Sequence, residues 1–188
     1  MRITGILLAA GAGTRFGGGK LLAKLADGTA VGRRACANLV AAVSEVIAVV
    51  RPGDEELADE LAAAGARVTV CPDARAGMGT SLAHGVRAAG EADAVMIVLG
   101  DMPWIRPDTF RAVAGELRRG EPLVVPRHQG KRGHPVGFGR VHYPALMVLD
   151  SDEGAREMIA RATCIRWIDV DDSGVLRDVD TPADLGAI

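Results

Sequence analysis

Along most of the chain, short blocks of continuous apolar residues alternate with longer stretches whose apolar positions return every three or four residues. The blocks Ile3–Ala9, Val46–Val50, Arg67–Cys71, Ala94–Leu99 and Leu123–Pro126 read as strands. Several are apolar at every position, as parallel strands covered on both faces require. Between them Thr29–Val43, Asp54–Ala64, Thr80–Ala89 and Asp108–Arg119 carry helical spacing. Strands alternating with helices of this length imply βαβ units and an α/β fold of three layers around a doubly wound, mostly parallel sheet. The pattern changes after Pro126. Arg127–Gly139, rich in glycine, histidine and basic residues, predicts an inserted loop or short hairpin. A helix is expected over Ser151–Arg161, capped by Ser151 with Glu153 adding favourable charge to its first turn. Cys164–Val170 reads as a late strand, and Pro182 opens a last helical turn. With no repeat or linker, residues 1–188 form one expected domain, with a first part of about 1–126 and an elaboration of about 127–188.

Composition narrows the function classes. The 188 residues are 48% hydrophobic and carry 22 basic against 24 acidic side chains, a formal net charge of −2. That balance gives no electrostatic footprint for nucleic acid or an anionic membrane. No apolar run is long enough to span a bilayer, and the N-terminus lacks the form of a secretory signal. Cys36, Cys71 and Cys164 lie far apart without a CxxC pair, which argues against a disulfide framework or zinc site and for the reducing cytoplasm.

In open α/β sheets ligands sit at the carboxyl ends of the strands, and polar clusters follow Ala9, Cys71 and Leu99. The first is Leu8-Ala9-Ala10-Gly11-Ala12-Gly13-Thr14-Arg15-Phe16-Gly17-Gly18-Gly19-Lys20. Glycines let successive N–H groups face an anion, and Arg15 and Lys20 add charge where a triphosphate would lie. Spacing rules out two familiar loops. The dinucleotide fingerprint fails because Phe16 stands where its third glycine belongs. The P-loop fails because Thr14 and Leu21 occupy the places of its first glycine and its hydroxyl residue. Asp101 directly follows a strand and should project at the sheet edge, as a turn cap or as a cation ligand; magnesium on a triphosphate takes only one or two protein carboxylates. At Gly77–Leu82, Thr80 and Ser81 stand at a helix start that can cap itself or bind phosphate or base. His84, one turn on, reads as a partly buried filler. Arg127, Lys131, Arg132 and His134 read as a solvated loop or as a receptor for an anionic acceptor.

The glycine cluster resembles the signature of the MobA-like nucleotidyltransferases, especially the molybdenum cofactor cytidylyltransferases. Gly77-Met78-Gly79-Thr80-Ser81-Leu82 resembles their base-proximal loop, and Leu99-Gly100-Asp101-Met102-Pro103 their metal motif. Gly133-His134-Pro135-Val136 is similar to their substrate-side element, and Asp178-Val179-Asp180-Thr181-Pro182 to their C-terminal motif. The resemblance implies a Rossmann-like nucleotide-diphospho-sugar transferase fold and transfer of a nucleoside monophosphate to a phosphorylated acceptor, molybdopterin foremost, with release of pyrophosphate. It implies Mg²⁺ on Asp101 and Asp180, with Asp178 the other choice for second ligand. Arg15, Lys20 and Asp101 become catalytic, and the nucleotide falls to Leu8, Ala9, Ala10, Gly11, Ala12, Gly13, Lys20, Gly79, Thr80 and Ser81. His134 becomes acceptor-binding. A LAAG opening is similar to the cytidylyltransferases, so Ala10 points to CTP over GTP through a methyl that narrows the base pocket. A molybdoenzyme or its chaperone is an implied partner. Three rivals stand beside this: a nicotinamide-dependent reductase, a non-catalytic pterin-binding module and a small sugar-nucleotide pyrophosphorylase. Against the reductase, the second strand ends in Val50-Arg51 where a ribose-binding acid belongs.

Overall fold

The computed structural model describes residues 1–150 and 154–186. Its strands are β1 (Ile3–Leu8), β2 (Glu45–Val50), β3 (Arg67–Val70), β4 (Ala94–Leu99), β5 (Leu123–His128), β6 (Lys131–Arg132), β7 (Val136–Gly139) and β8 (Arg166–Asp169). They form one sheet in which β3, β2, β1 and β4 are parallel neighbours. Beyond β4 the direction reverses: β7 pairs antiparallel with both β4 and β5. The short β6 continues the β7 side of β5, and β8 lies parallel on the opposite side. Residues after 126 therefore lie within the sheet as well as at its edge.

The apolar blocks alternate faces as strand geometry demands. Ile3 and Leu7 of β1, with Met96 and Val98 of β4, join one core with the helices α1 (Val31–Val40), α2 (Glu55–Ala63) and α4 (Pro107–Arg118). Ile6, Val95 and Ile97 join a second core with α3 (Met78–Ala89), α5 (Tyr143–Leu146) and α6 (Arg156–Arg161). The three expected layers are present. The chain steps outward from β1 through β2 to β3, then returns to place β4 on the other side of β1. The carboxyl ends of β1 and β4 thus flank the topological switch point, where open sheets bind ligands.

Several expected boundaries move. α1 is shorter than Thr29–Val43, because Ala30 is held in a bridge to Lys24 before the helix starts. α3 begins at Met78 behind Gly77, whose φ of 137° only glycine adopts easily. Thr80 therefore lies inside the first turn and does not cap. Of the inserted loop or short hairpin expected over Arg127–Gly139, the hairpin is present, β5 pairing antiparallel with β6 and β7. The expected cap Ser151 and Glu153 lie outside the described residues. Among the described residues no helix is long and apolar enough to cross a membrane.

The chain after β8 is anchored by Asp172, which is only 4% exposed. Its carboxylate accepts from Thr109 Oγ1 at 2.6 Å, Arg106 N at 2.9 Å and Gly174 N at 3.0 Å. Asp172→Ala would strand those donors and should destabilise the fold by about 3 kcal/mol. Thermal unfolding should then fall by roughly 10 °C; a drop below about 2 °C would show that the anchor is dispensable.

Candidate active site

The segment after β1 is shaped by glycines. Gly13, Gly17, Gly18 and Gly19 have φ of 59°, 90°, 95° and 64°, left-handed values that side chains resist. They separate two single 3-10 turns, Thr14–Phe16 and Lys20–Leu22, so that the loop folds back with Gly18 N donating to Gly13 O at 3.1 Å. Ala9 is fastened to β2 through Val49 O at 2.9 Å. Among the described residues, none of the N–H groups of residues 10–13 donates to another backbone carbonyl. They stand along a cleft lined by Leu8, Gly11, Ala12, Gly13, Lys20, Arg51 and Asp101.

Asp101 reaches the same cleft from β4. Gly100 N donates to Leu8 O at 2.9 Å, and a Cβ on Gly100 would sit 3.0 Å from that oxygen. Only glycine lets the two strand ends approach so closely. The third contributor arrives from the far end of the chain. Val179 N donates to Asp101 O at 2.9 Å, and the Asp184 carboxylate accepts from Asp180 N and from both Thr181 N and Oγ1. Those amide bonds hold the Asp184 carboxyl below its ordinary range. The tail is thereby strapped across the switch point.

These elements bring four sequence-predicted residues into one charge cluster. Lys20 Nζ lies 2.6 Å from Asp101 Oδ2 and 3.6 Å from Asp180 Oδ1, and Arg15 lies 2.7 Å from Asp180 Oδ2. Lys20 is 14% exposed and Arg15 is 80% exposed, so one cation sits inside the cluster and the other at its solvent side. Asp178 belongs to the same field. Burial, and then the Asp101 and Asp180 carboxylates, raise its pKa, while Lys20 opposes the rise. Asp101 Oδ1 is buried without a hydrogen-bond partner, an unusual state for a charged oxygen. Carboxylate oxygens suit a hard divalent cation, for which one or two protein ligands suffice beside phosphates and water. No cluster of three or more His, Cys, Asp or Glu able to hold a metal occurs among the described residues, so a cation here would lean on its substrate.

The other expected residues divide. Ala10, Gly11, Ala12 and Ser81 line the continuation of the cleft toward α3, with Arg75, Gly77 and Met78. Gly79 is buried, and Thr80 Oγ1 donates to the Asp150 carbonyl at 3.5 Å. His84 bonds Thr69 Oγ1 at 2.8 Å. The basic loop splits as well. Arg127 pairs with Asp169 at 3.1 Å and lies over the Trp167 ring, whereas Arg132 and His134 line a second, largely apolar cavity. Burial, then the neighbouring Arg132 guanidinium, push His134 down to about 4, so its ring is neutral near pH 7.

Sequence reasoning did not nominate Arg51, Arg75 or Arg156. Arg51 directly follows the buried β2, pairs with Asp54 at 2.9 Å and lines both arms of the cleft. The carboxyl-edge rule that nominated Asp101 applies equally to it. Arg156 opens α6, and nothing in its local pattern tells which way it faces.

Residues 5–165 match the MobA-like NTP transferase domain. Nicotine blue oxidoreductase of Paenarthrobacter nicotinovorans is 31% identical over 189 residues, covering 95% of this chain and 92% of that protein. Purine catabolism protein PucB of Bacillus subtilis (strain 168) is 33% identical over 117 residues, 60% of this chain and 56% of PucB. The chain thus matches little more than half of that relative's length. Among solved structures, Rv0371c from Mycobacterium tuberculosis H37Rv aligns with a TM-score of 0.84 at 28% identity, over 98% of this chain and 95% of that one. A complex of Rv0371c with manganese aligns at 0.77 and 24% identity, over 100% and 94%. Matched over most of its length, with its glycine loop, strand-end aspartate and C-terminal aspartates gathered at one switch point, the chain belongs to the MobA-like NTP transferase family.

Proposed function

We propose that this chain is a cytidylyltransferase of the molybdenum cofactor type, moving CMP from CTP to a phosphorylated pterin acceptor such as molybdopterin and releasing pyrophosphate. The observation that carries the reading is the cluster of Lys20, Arg15, Asp101 and Asp180 at the mouth of the glycine-loop cleft, with Asp101 Oδ1 unpartnered. Asp101 and Asp180 would hold Mg²⁺, whose charge offsets that of the reacting phosphates. The free N–H groups of residues 10–13 bind phosphate oxygens, and Ala10 narrows the space beside the base. Lys20, held inside the cluster, stays against the α-phosphate. Exposed Arg15 exchanges Asp180 for the departing pyrophosphate. The acceptor phosphate needs no general base, because its second pKa of about 6 leaves it ionised at neutral pH. Catalysis then rests on alignment and charge.

A second reading follows from the relative over nearly the full chain whose name is nicotine blue oxidoreductase. Arg51 at the end of β2 stands where dinucleotide folds place the group that reads the ribose, and an arginine there suits a 2′-phosphate. One experiment separates the two. Pyrophosphate release is measured with CTP, GTP, ATP and UTP on molybdopterin, with Mg²⁺ or with chelator, beside oxidation of NADPH with an added two-electron-accepting redox dye. The expected result is release that needs the metal and favours CTP over GTP by about tenfold. Oxidation of NADPH with no pyrophosphate from any triphosphate would overturn the transferase reading.

A further inference from the structure

The aspartate that completes the charge cluster, Asp180, comes from a part of the chain with few ties to the domain. Its side chain is 41% exposed, and its ion pairs are with Arg15 on the solvent side and with Lys20 at 3.6 Å. Just before it, Val179 is fully buried and bonded to the Asp101 carbonyl at 2.9 Å. Further on, Leu185 packs against the core shared by α1, α2 and α4. Between these two anchors the chain makes the 3-10 turn Pro182–Gly186. Thr181 stands at the cap position of that turn and Asp184 three residues on. That is the spacing of a capping box, in which the acid accepts from the N–H of the cap residue. Here Asp184 does more. Its Oδ2 accepts from Thr181 N at 2.7 Å, from Thr181 Oγ1 at 2.9 Å and from Asp180 N at 3.1 Å. Among the described residues these side-chain bonds all lie within residues 180–184, so they do not tie the tail to the domain. What they fix is the backbone at Asp180.

We propose that Asp184 is a positioning residue for the cation: its carboxylate sets the course of the chain at Asp180 and so aims that side chain toward Asp101. The proposal rests on the reading of Asp101 and Asp180 as ligands of a divalent cation, and it adds the residue that prepares the second of them. An aspartate on an unrestrained turn would lose backbone and side-chain freedom on binding the ion, and that loss would weaken the site. The three bonds to Asp184 remove much of this freedom beforehand. Hydrogen bonds standing behind a ligand in this way commonly strengthen metal binding by about 10- to 100-fold. The arrangement also lets geometry be separated from charge. All three donors meet at one oxygen, so an amide oxygen in the same place can accept them after the negative charge is gone.

The test is binding of Mn²⁺ alone to the full chain, read from the electron spin resonance of the free ion, beside the Mg²⁺ concentration that gives half-maximal pyrophosphate release. Asp184→Ala should weaken Mn²⁺ binding by about tenfold and raise the Mg²⁺ requirement to match, with kcat at saturating Mg²⁺ within about threefold of the parent. Asp184→Asn keeps the acceptor and should stay within about threefold of the parent in Mn²⁺ affinity. With Asp180→Asn already in place, Asp184→Ala should change that affinity by less than about twofold, because the ligand through which it acts is gone. Unfolding without metal should move by no more than about 3 °C in the Asp184 variants, the lost bonds being local to an exposed turn. Parent-like Mn²⁺ affinity in Asp184→Ala, while Asp101→Asn and Asp180→Asn lose it, overturns the proposal alone. So does an Asp184→Asn variant as weak as Asp184→Ala, since charge would then be the cause, or an undiminished loss from Asp184→Ala in the Asp180→Asn background. Parent-like affinity in both Asp101→Asn and Asp180→Asn would instead remove the cation reading, and the proposal with it.

Discussion

Asp101→Asn is expected to lower nucleotidyl transfer by about 10³-fold in kcat while the protein stays folded, a loss of about 4 kcal/mol in barrier terms. The substitution keeps the shape of the side chain and removes its charge. Asp101 sits where β4 meets β1; its Oδ2 pairs with Lys20 at 2.6 Å, whereas its Oδ1 is buried with no partner, which leaves one oxygen for the cation of the proposed function. The main-chain bonds that hold this strand end, Val179 N to the Asp101 carbonyl and Gly100 N to Leu8 O, do not depend on the carboxylate. Stability should change by about 1 kcal/mol at most, since the Lys20 pair is partly solvated. Pyrophosphate release at saturating CTP and Mg²⁺ gives the rate, and thermal unfolding gives the stability. Activity within tenfold of the parent would remove Asp101 from the chemistry.

That β1, β2, β4 and the aspartate could be found by reading the chain has a physical reason. β1, β2 and β4 are buried on both faces, so each is apolar at nearly every position, and polar residues concentrate where the strand leaves the core. Leu8, Val50 and Leu99 all end such runs, and Gly11, Arg51 and Asp101 follow them. β7 offers no such signal. Its four residues include Gly137 and Gly139, which suggest a turn, yet Gly137 is there because a Cβ would come within 2.9 Å of Leu117 Cδ1 on α4. That constraint comes from a helix twenty residues earlier and leaves no local periodicity. Asp172 was equally opaque, since an aspartate in an acidic tail normally faces water, and only the fold reveals the three donors around it. Thr80 misled for the opposite reason: it is a good cap residue, but the φ of Gly77 starts α3 two residues earlier. That Arg132 and Arg156 line one cavity is a fact of tertiary packing alone.

Lys20→Met should produce the other large change, and it should be visible without turnover. Lys20 is the counter-charge of Asp101 at 2.6 Å and of Asp180 at 3.6 Å. Arg15, the other cation ion-paired within the cluster, is largely in solvent and pairs with the other oxygen of Asp180. Removing Lys20 leaves Asp101, Asp178 and Asp180 repelling one another in a partly desolvated space. The expected loss is about 2 kcal/mol near pH 7.5, discounted from a fully buried pair because these groups retain some solvent, or about 6 °C in unfolding temperature. The pH dependence has a definite sign. Asp178 is already held above its ordinary range by burial, Asp101 and Asp180, so in the variant its ionised form is still less favourable in the folded state than in the unfolded chain. That penalty is present above the folded pKa and relaxes as falling pH protonates the group, so the gap between variant and parent should narrow toward pH 5. A divalent cation can replace the missing ammonium. Mn²⁺ should therefore raise the unfolding temperature of Lys20→Met by several degrees more than that of the parent, while kcat stays about 10²-fold down because the charge that the proposed function sets against the α-phosphate is gone. If the variant unfolds at the parent temperature and ignores Mn²⁺, the carboxylates around Lys20 are too well solvated to act as a cation site, and the assignment of Asp101 and Asp180 as its ligands fails with them.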